Sequence, residues 1–70
     1  MEWFLVAAYD RNKNHYTVMK RLDSKDKAER LAEGYARLLS AQGGKALGVD
    51  AVRVLRESQM DKPIFEAELE

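Results

Sequence analysis

The sequence contains no cysteine, one histidine (His15), one proline (Pro63) and no long apolar run. Without cysteine there is neither a disulfide framework nor a thiolate zinc site, and a single imidazole does not supply the usual nitrogen ligands. No metal and no cofactor are therefore expected. The longest apolar run, residues 3–8, is six residues long and follows Glu2. Export signals carry about 7–15 apolar residues behind a basic start, and a membrane span needs about 20. The expectation is a cytoplasmic protein with no membrane partner. Charge of one sign is also missing, since twelve Lys/Arg balance twelve Asp/Glu. A dedicated polyanion binder normally shows a basic excess.

Catalytic groupings are equally sparse. Nucleophilic catalysis needs a side chain activated by a base that a third group orients. Ser24, Ser40 and Ser58 read instead as a helix cap, a helix position and a turn residue. His15 falls beside a turn and opposite Asp10, an arrangement common at exposed strand ends. Gly43-Gly44-Lys45 follows a helix and lacks the hydroxyl residue of a phosphate loop, so helix capping explains its glycines. No catalytic residue is assigned, and the chain is read as non-enzymatic.

What is present is a chain of 70 residues, enough for one small domain spanning residues 1–70. A domain of this size buries only about 60% of the surface of its unfolded chain, which leaves a thin core. Association with a partner is one natural support for such a core. Charge is unevenly spread: residues 1–48 hold nine Lys/Arg against six Asp/Glu, and residues 49–70 hold three against six.

Periodicity points to an α+β fold of order ββαββ, a four-stranded, mainly antiparallel sheet with one amphipathic helix on one face. Residues 2–10 are apolar on both parities, as in a strand covered on both sides. Residues 11–14 are polar and Asn-rich, which suits a tight turn. Residues 15–22 are rich in β-branched and aromatic types and complete a hairpin. Ser24 (or Asp23) is the expected N-cap, with Asp26 in the first turn and Gly43-Gly44 at the end. The predicted buried stripe is Ala28, Leu31, Ala32, Tyr35, Leu38, Leu39 and Gln42. Asp26–Arg30 and Glu33–Arg37 are expected to pair at i,i+4 on the solvated side. Residues 43–48 read as a flexible connection, 49–57 as a third strand, 58–63 as a turn and 64–69 as a fourth strand.

Side-chain alternation then predicts the faces. An even first turn sets Asp10 opposite His15, Tyr9 opposite Tyr16 and Trp3 opposite Leu22. Trp3, Leu5, Ala7, Tyr9, Tyr16, Val18 and Leu22 would then lie under the helix. If Arg56 opposes Phe65, then Val52, Val54, Phe65, Ala67 and Leu69 join them, and Arg53 faces Glu68. The reverse face would expose an apolar strip of Phe4, Val6, Met19 and Leu55 beside Arg53. Such a strip marks an interface. The expected partner is a second copy, forming a homodimer, or a larger protein that this module adapts, regulates or inhibits.

The alternative is nucleic-acid binding by Arg11, Lys13, Lys20 and Arg21 on the basic first hairpin, helped by Lys25, Lys27 and Arg30 at the helix start. The hairpin-to-helix joint Asp23-Ser24 with Ala28, over residues 16–32, resembles that of arm-type DNA-binding domains of phage integrases. The same joint recurs in many unrelated small domains. The acidic end Glu66, Glu68 and Glu70 and the neutral net charge count against this alternative.

Overall fold

A computed structural model describes residues 1–70. The chain runs β1 (Phe4–Asp10), β2 (His15–Leu22), α1 (Lys25–Ala41), a short 3-10 helix (Gly44–Leu47), β3 (Ala51–Arg56) and β4 (Gln59–Glu68). The four strands form one antiparallel sheet in the order β2-β1-β3-β4, as the α+β reading expects. β1 is central and buried from Phe4 to Tyr9, which accounts for its apolar character on both parities. Because β2 and β3 flank β1, the connection through α1 crosses over β1 and lays the helix on one sheet face.

Local signals formed much as the residues predict. Ser24 caps α1, its Oγ accepting the Lys27 N–H at 3.3 Å. Asn14 takes the left-handed conformation at φ 50° in the first turn, where the Asp10 carboxylate accepts the N–H groups of Asn12 and Lys13. Gly43 ends the helix at φ 75°, a conformation glycine adopts without steric cost. Residues 43–48 are an ordered 3-10 turn rather than a flexible tether. Gly44 lets that turn approach closely, since a Cβ there would lie 2.9 Å from the Leu39 carbonyl oxygen and 3.0 Å from a Leu69 methyl.

The helix meets the sheet through its smallest residues. Ala28, Ala32 and Ala36 are buried against Phe4, Val6, Val52, Val54 and Leu69, with Leu31, Tyr35 and Leu39 packed along the sides. Leu38, predicted to lie in the stripe, is 52% exposed, and Gln42 is exposed as well. Large side chains dominate a hydrophobic pattern, but an alanine ridge allows the closest approach of helix to sheet. The i,i+4 pairs expected at Asp26–Arg30 and Glu33–Arg37 do not form; the helix instead carries Lys25–Glu29 at 2.9 Å.

The face assignment is corrected. The hairpin register holds from Asp10–His15 to Ala7–Val18, after which a β-bulge inserts Met19 so that Phe4, not Trp3, opposes Leu22. β1 pairs with β3 as Val6–Val54 and Ala8–Val52, so Phe4 and Val6 share a face with the valines of β3. Phe4, Val6 and Met19, expected on the uncovered face, therefore belong to the core beneath the helix. Trp3, Leu5, Ala7, Tyr9, Tyr16 and Val18 do share a face, but it is the one turned away from α1. Leu55 and Arg53 lie on that same open face.

β4 also differs from expectation. It begins at Gln59 after a tight turn at Glu57 and Ser58, and it contains Pro63. Its pairing runs Val54–Phe65, Leu55–Pro63 and Arg56–Gln59, so Ile64 and residues 60–62 bulge from the ladder. Proline is tolerated there because β4 is an edge strand. The slip of two residues against the expected register keeps parity, so Phe65 and Ala67 still face the helix. It also places Glu66, not Glu68, opposite Arg53.

Candidate interaction surface

With α1 on one side of the sheet, the other side has no secondary element above it. Leu5, Ala7 and Leu55 nonetheless lie buried on this open face at 6%, 0% and 0% exposure. Their cover is built from neighbouring side chains. Tyr9 and Tyr16, opposed across β1 and β2, bring their rings to a centroid distance of 4.8 Å. The Arg53 guanidinium lies 3.9 Å above the Tyr9 ring, donates to the Tyr16 hydroxyl at 2.8 Å and donates to Glu66 at 2.7 Å. At the other end of β1, Arg21 stacks 4.0 Å over the Trp3 ring and makes a two-pronged pair with Glu57 at 2.7 and 2.9 Å. Arg11 extends the network to Glu68 at 2.8 Å and approaches Glu66 at 3.8 Å.

The electrostatics follow this geometry. Hydrogen bonding from Arg53, strengthened by its charge, holds the Glu66 carboxyl below the usual carboxylate range despite partial burial. The Arg21 hydrogen bonds do the same for Glu57. Burial works against the charge on Arg53, but its bonds to Tyr16 and Glu66 outweigh that penalty and raise its pKa. An arginine stacked on an aromatic face offers its flat apolar surface to the ring and its N–H fork to carboxylates. The open face is therefore roofed by paired arginines and aromatic rings, and the expected apolar strip is absent. The large exposed apolar residues Val18, Leu38, Leu47 and Met60 sit on four different elements.

Of the five residues nominated for an interface, Phe4, Val6 and Met19 pack with the core, Leu55 lies beneath the roof, and Arg53 forms part of the roof. Of the four nominated nucleic-acid contacts, Arg11 and Arg21 are held by Glu68 and Glu57, while Lys13 and Lys20 form no ion pair within 4 Å. His15 is exposed at the strand end, and the Asp10 carboxylate opposite it serves the backbone of the turn. A 690 Å³ groove between α1 and the chain end is lined by Glu33, Arg37, Ser40 and Glu70 above an alanine floor. Its Ser40 hydroxyl donates to the Ala36 carbonyl at 2.7 Å and accepts the Glu70 N–H at 3.0 Å, so it ties down the last strand.

From the sequence, Glu66 is set on the uncovered face, Trp3, Tyr9 and Tyr16 are grouped under the helix instead, and Glu57 is given no role in this surface. One signal for it was available: an arginine midway along an otherwise apolar strand, Ala51-Val-Arg-Val-Leu, has to find cover for its stem and partners for its charge.

The sheet leaves two edges, and they differ. On the β4 edge, Pro63 removes a backbone donor and residues 60–62 bulge. On the β2 edge, eight residues contain neither proline nor carboxylate, with Val18 49% exposed at mid-strand and a single bulge at Met19. The fold and this surface define a small ββαββ sheet-and-helix domain with one guarded edge and one accessible edge. Compared with protein-family models, curated proteins and solved structures, the chain finds no match.

Proposed function

We propose that this chain is a small non-enzymatic protein-interaction module, an adaptor, regulator or inhibitor, that engages its partner through the outer edge of β2. The observation that carries this reading is the contrast between the edges: β4 is interrupted by Pro63 and a three-residue bulge, whereas β2 is free of proline and carries a single-residue bulge at Met19. An outer strand edge presents unpaired N–H and C=O groups that an incoming strand can complete. The open face is less suited to docking, because its arginines are already matched by carboxylates and rings. Nucleic-acid binding has weaker support, since Arg11 and Arg21 are neutralised within the chain.

Hydrogen exchange with a captured partner tests the reading. Amides of His15–Leu22 that point away from β1 are expected to exchange more slowly in the complex. Protection confined to the outer surface of α1 around Leu38, with β2 unchanged, would refute it.

A further inference from the structure

We infer that the segment completing the β2 edge is an extended, acidic stretch of a partner protein, an assignment that rests on the edge reading above. From Arg11 to Leu22 the chain carries Arg11, Lys13, His15, Lys20 and Arg21 and no carboxylate. Arg11 and Arg21 are turned to Glu68 and Glu57. Lys13, in the turn at one end, and Lys20, near the other end, have no carboxylate within 4 Å and form the spare charge along the edge. His15 to Lys20 spans five residue steps, about 17 Å at the strand rise, so a partner strand of about six residues covers the distance. Its backbone would complete the ladder, Val18 would supply an apolar contact, and carboxylates would meet the lysines.

Charge selects this occupant over a second copy. Antiparallel pairing of β2 with β2 about the strand midpoint sets Lys20 opposite Thr17 of the copy, and with no carboxylate on either strand the spare lysine charge of each edge stays unmatched. The chain's own acidic strand end does not serve either, because Glu66 and Glu68 are engaged by Arg53 and Arg11. Stacking selects a protein strand over a nucleic acid. Single-stranded nucleic acid is held by bare aromatic faces, yet the Trp3 and Tyr9 rings are each covered by an arginine at 4.0 and 3.9 Å.

The test titrates the full chain with a short blocked peptide alternating Glu and Val, with versions carrying Gln or Lys in place of Glu, and with a short single-stranded DNA. The Glu peptide is expected to bind best, to weaken as salt rises and to slow exchange of the outward amides of His15–Leu22. Lys20→Glu should weaken it by about tenfold or more, while Lys20→Arg retains binding. Protection of β2 by the Gln or Lys peptide as strongly as by the Glu peptide would overturn the acidic assignment and leave the edge reading standing. No protection of β2 by any peptide would overturn both. Protection of β2 without peptide, accompanied by a doubled solution mass, would replace the acidic segment with a second copy. Tighter binding of DNA, lost on Lys20→Glu, would replace it with a nucleic acid.

Discussion

Replacing Arg53 with alanine asks whether the open face is held by its roof. The side chain is only 18% exposed, stacks on Tyr9, bonds to Tyr16 and pairs with Glu66. A partly desolvated cation–π contact contributes about 1 kcal/mol, and the ion pair with its hydrogen bonds about another 1 kcal/mol. Losing the stem also thins the cover over the buried Ala7 opposite it, so Arg53→Ala should cost about 2–3 kcal/mol in all. A domain of this size has a net stability of about 3–5 kcal/mol, so the variant would lose about half or more of it. In urea, at about 1 kcal/mol per molar, the unfolding midpoint should fall by about 2 M. Arg53→Met keeps an apolar stem beside Tyr9 and Ala7 and should recover about half of the loss. Tyr16→Phe removes only the hydroxyl acceptor and should cost about 1 kcal/mol. Equilibrium urea unfolding followed by far-UV circular dichroism measures all three. A loss below about 0.5 kcal/mol for Arg53→Ala, the range of ordinary surface positions, would refute the roof.

Val6→Glu places a carboxylate at a fully buried site under α1 and is expected to abolish folding, seen as loss of the cooperative unfolding transition; a folded variant would mean that Val6 is not in the core. Gly34 is exposed in mid-helix, and a Cβ there meets nothing within 4 Å. Gly34→Ala should therefore stabilise the fold by about 0.5–1 kcal/mol, read as a higher urea midpoint, and a lower midpoint would contradict the open position. Acid should weaken the fold through Glu66 and Glu57, whose folded pKa values lie below their unfolded ones. Their contribution is complete above the unfolded value of about 4.3 and is lost as pH falls through the folded values. Glu66→Gln should flatten the acid limb of the stability profile; an unchanged limb would remove Glu66 from that role.

Several features were legible in the residues because they depend on near neighbours. The Ser24 cap, the Gly43 termination, the Asn-rich turn and the pairing of Tyr9 with Tyr16 are set within a few positions of one another. The doubly apolar β1 correctly announced a strand covered on both faces, while its place in the strand order stayed open. That same property hid the orientation of the sheet, since a strand with apolar residues on both parities is consistent with a helix on either side. The interface nomination of Phe4, Val6 and Met19 followed from choosing the other side.

By itself the sequence determined the element order, the helix and its cap, the two-sided burial of β1 and the absence of any cysteine-based staple. These follow from local propensity, alternation and composition. Only the tertiary structure decided which face α1 covers, where Met19 and residues 60–62 bulge, and which carboxylate meets each arginine. Those outcomes depend on how whole strands pair across the sheet, including β1 with β3, which lie more than forty residues apart in the chain. A bulge moves one residue out of register and so reverses the faces of every residue beyond it. Arg53 illustrates the difference: its charge was plain in the sequence, but its cover by Tyr9, Tyr16 and Glu66 exists only once all four strands lie side by side.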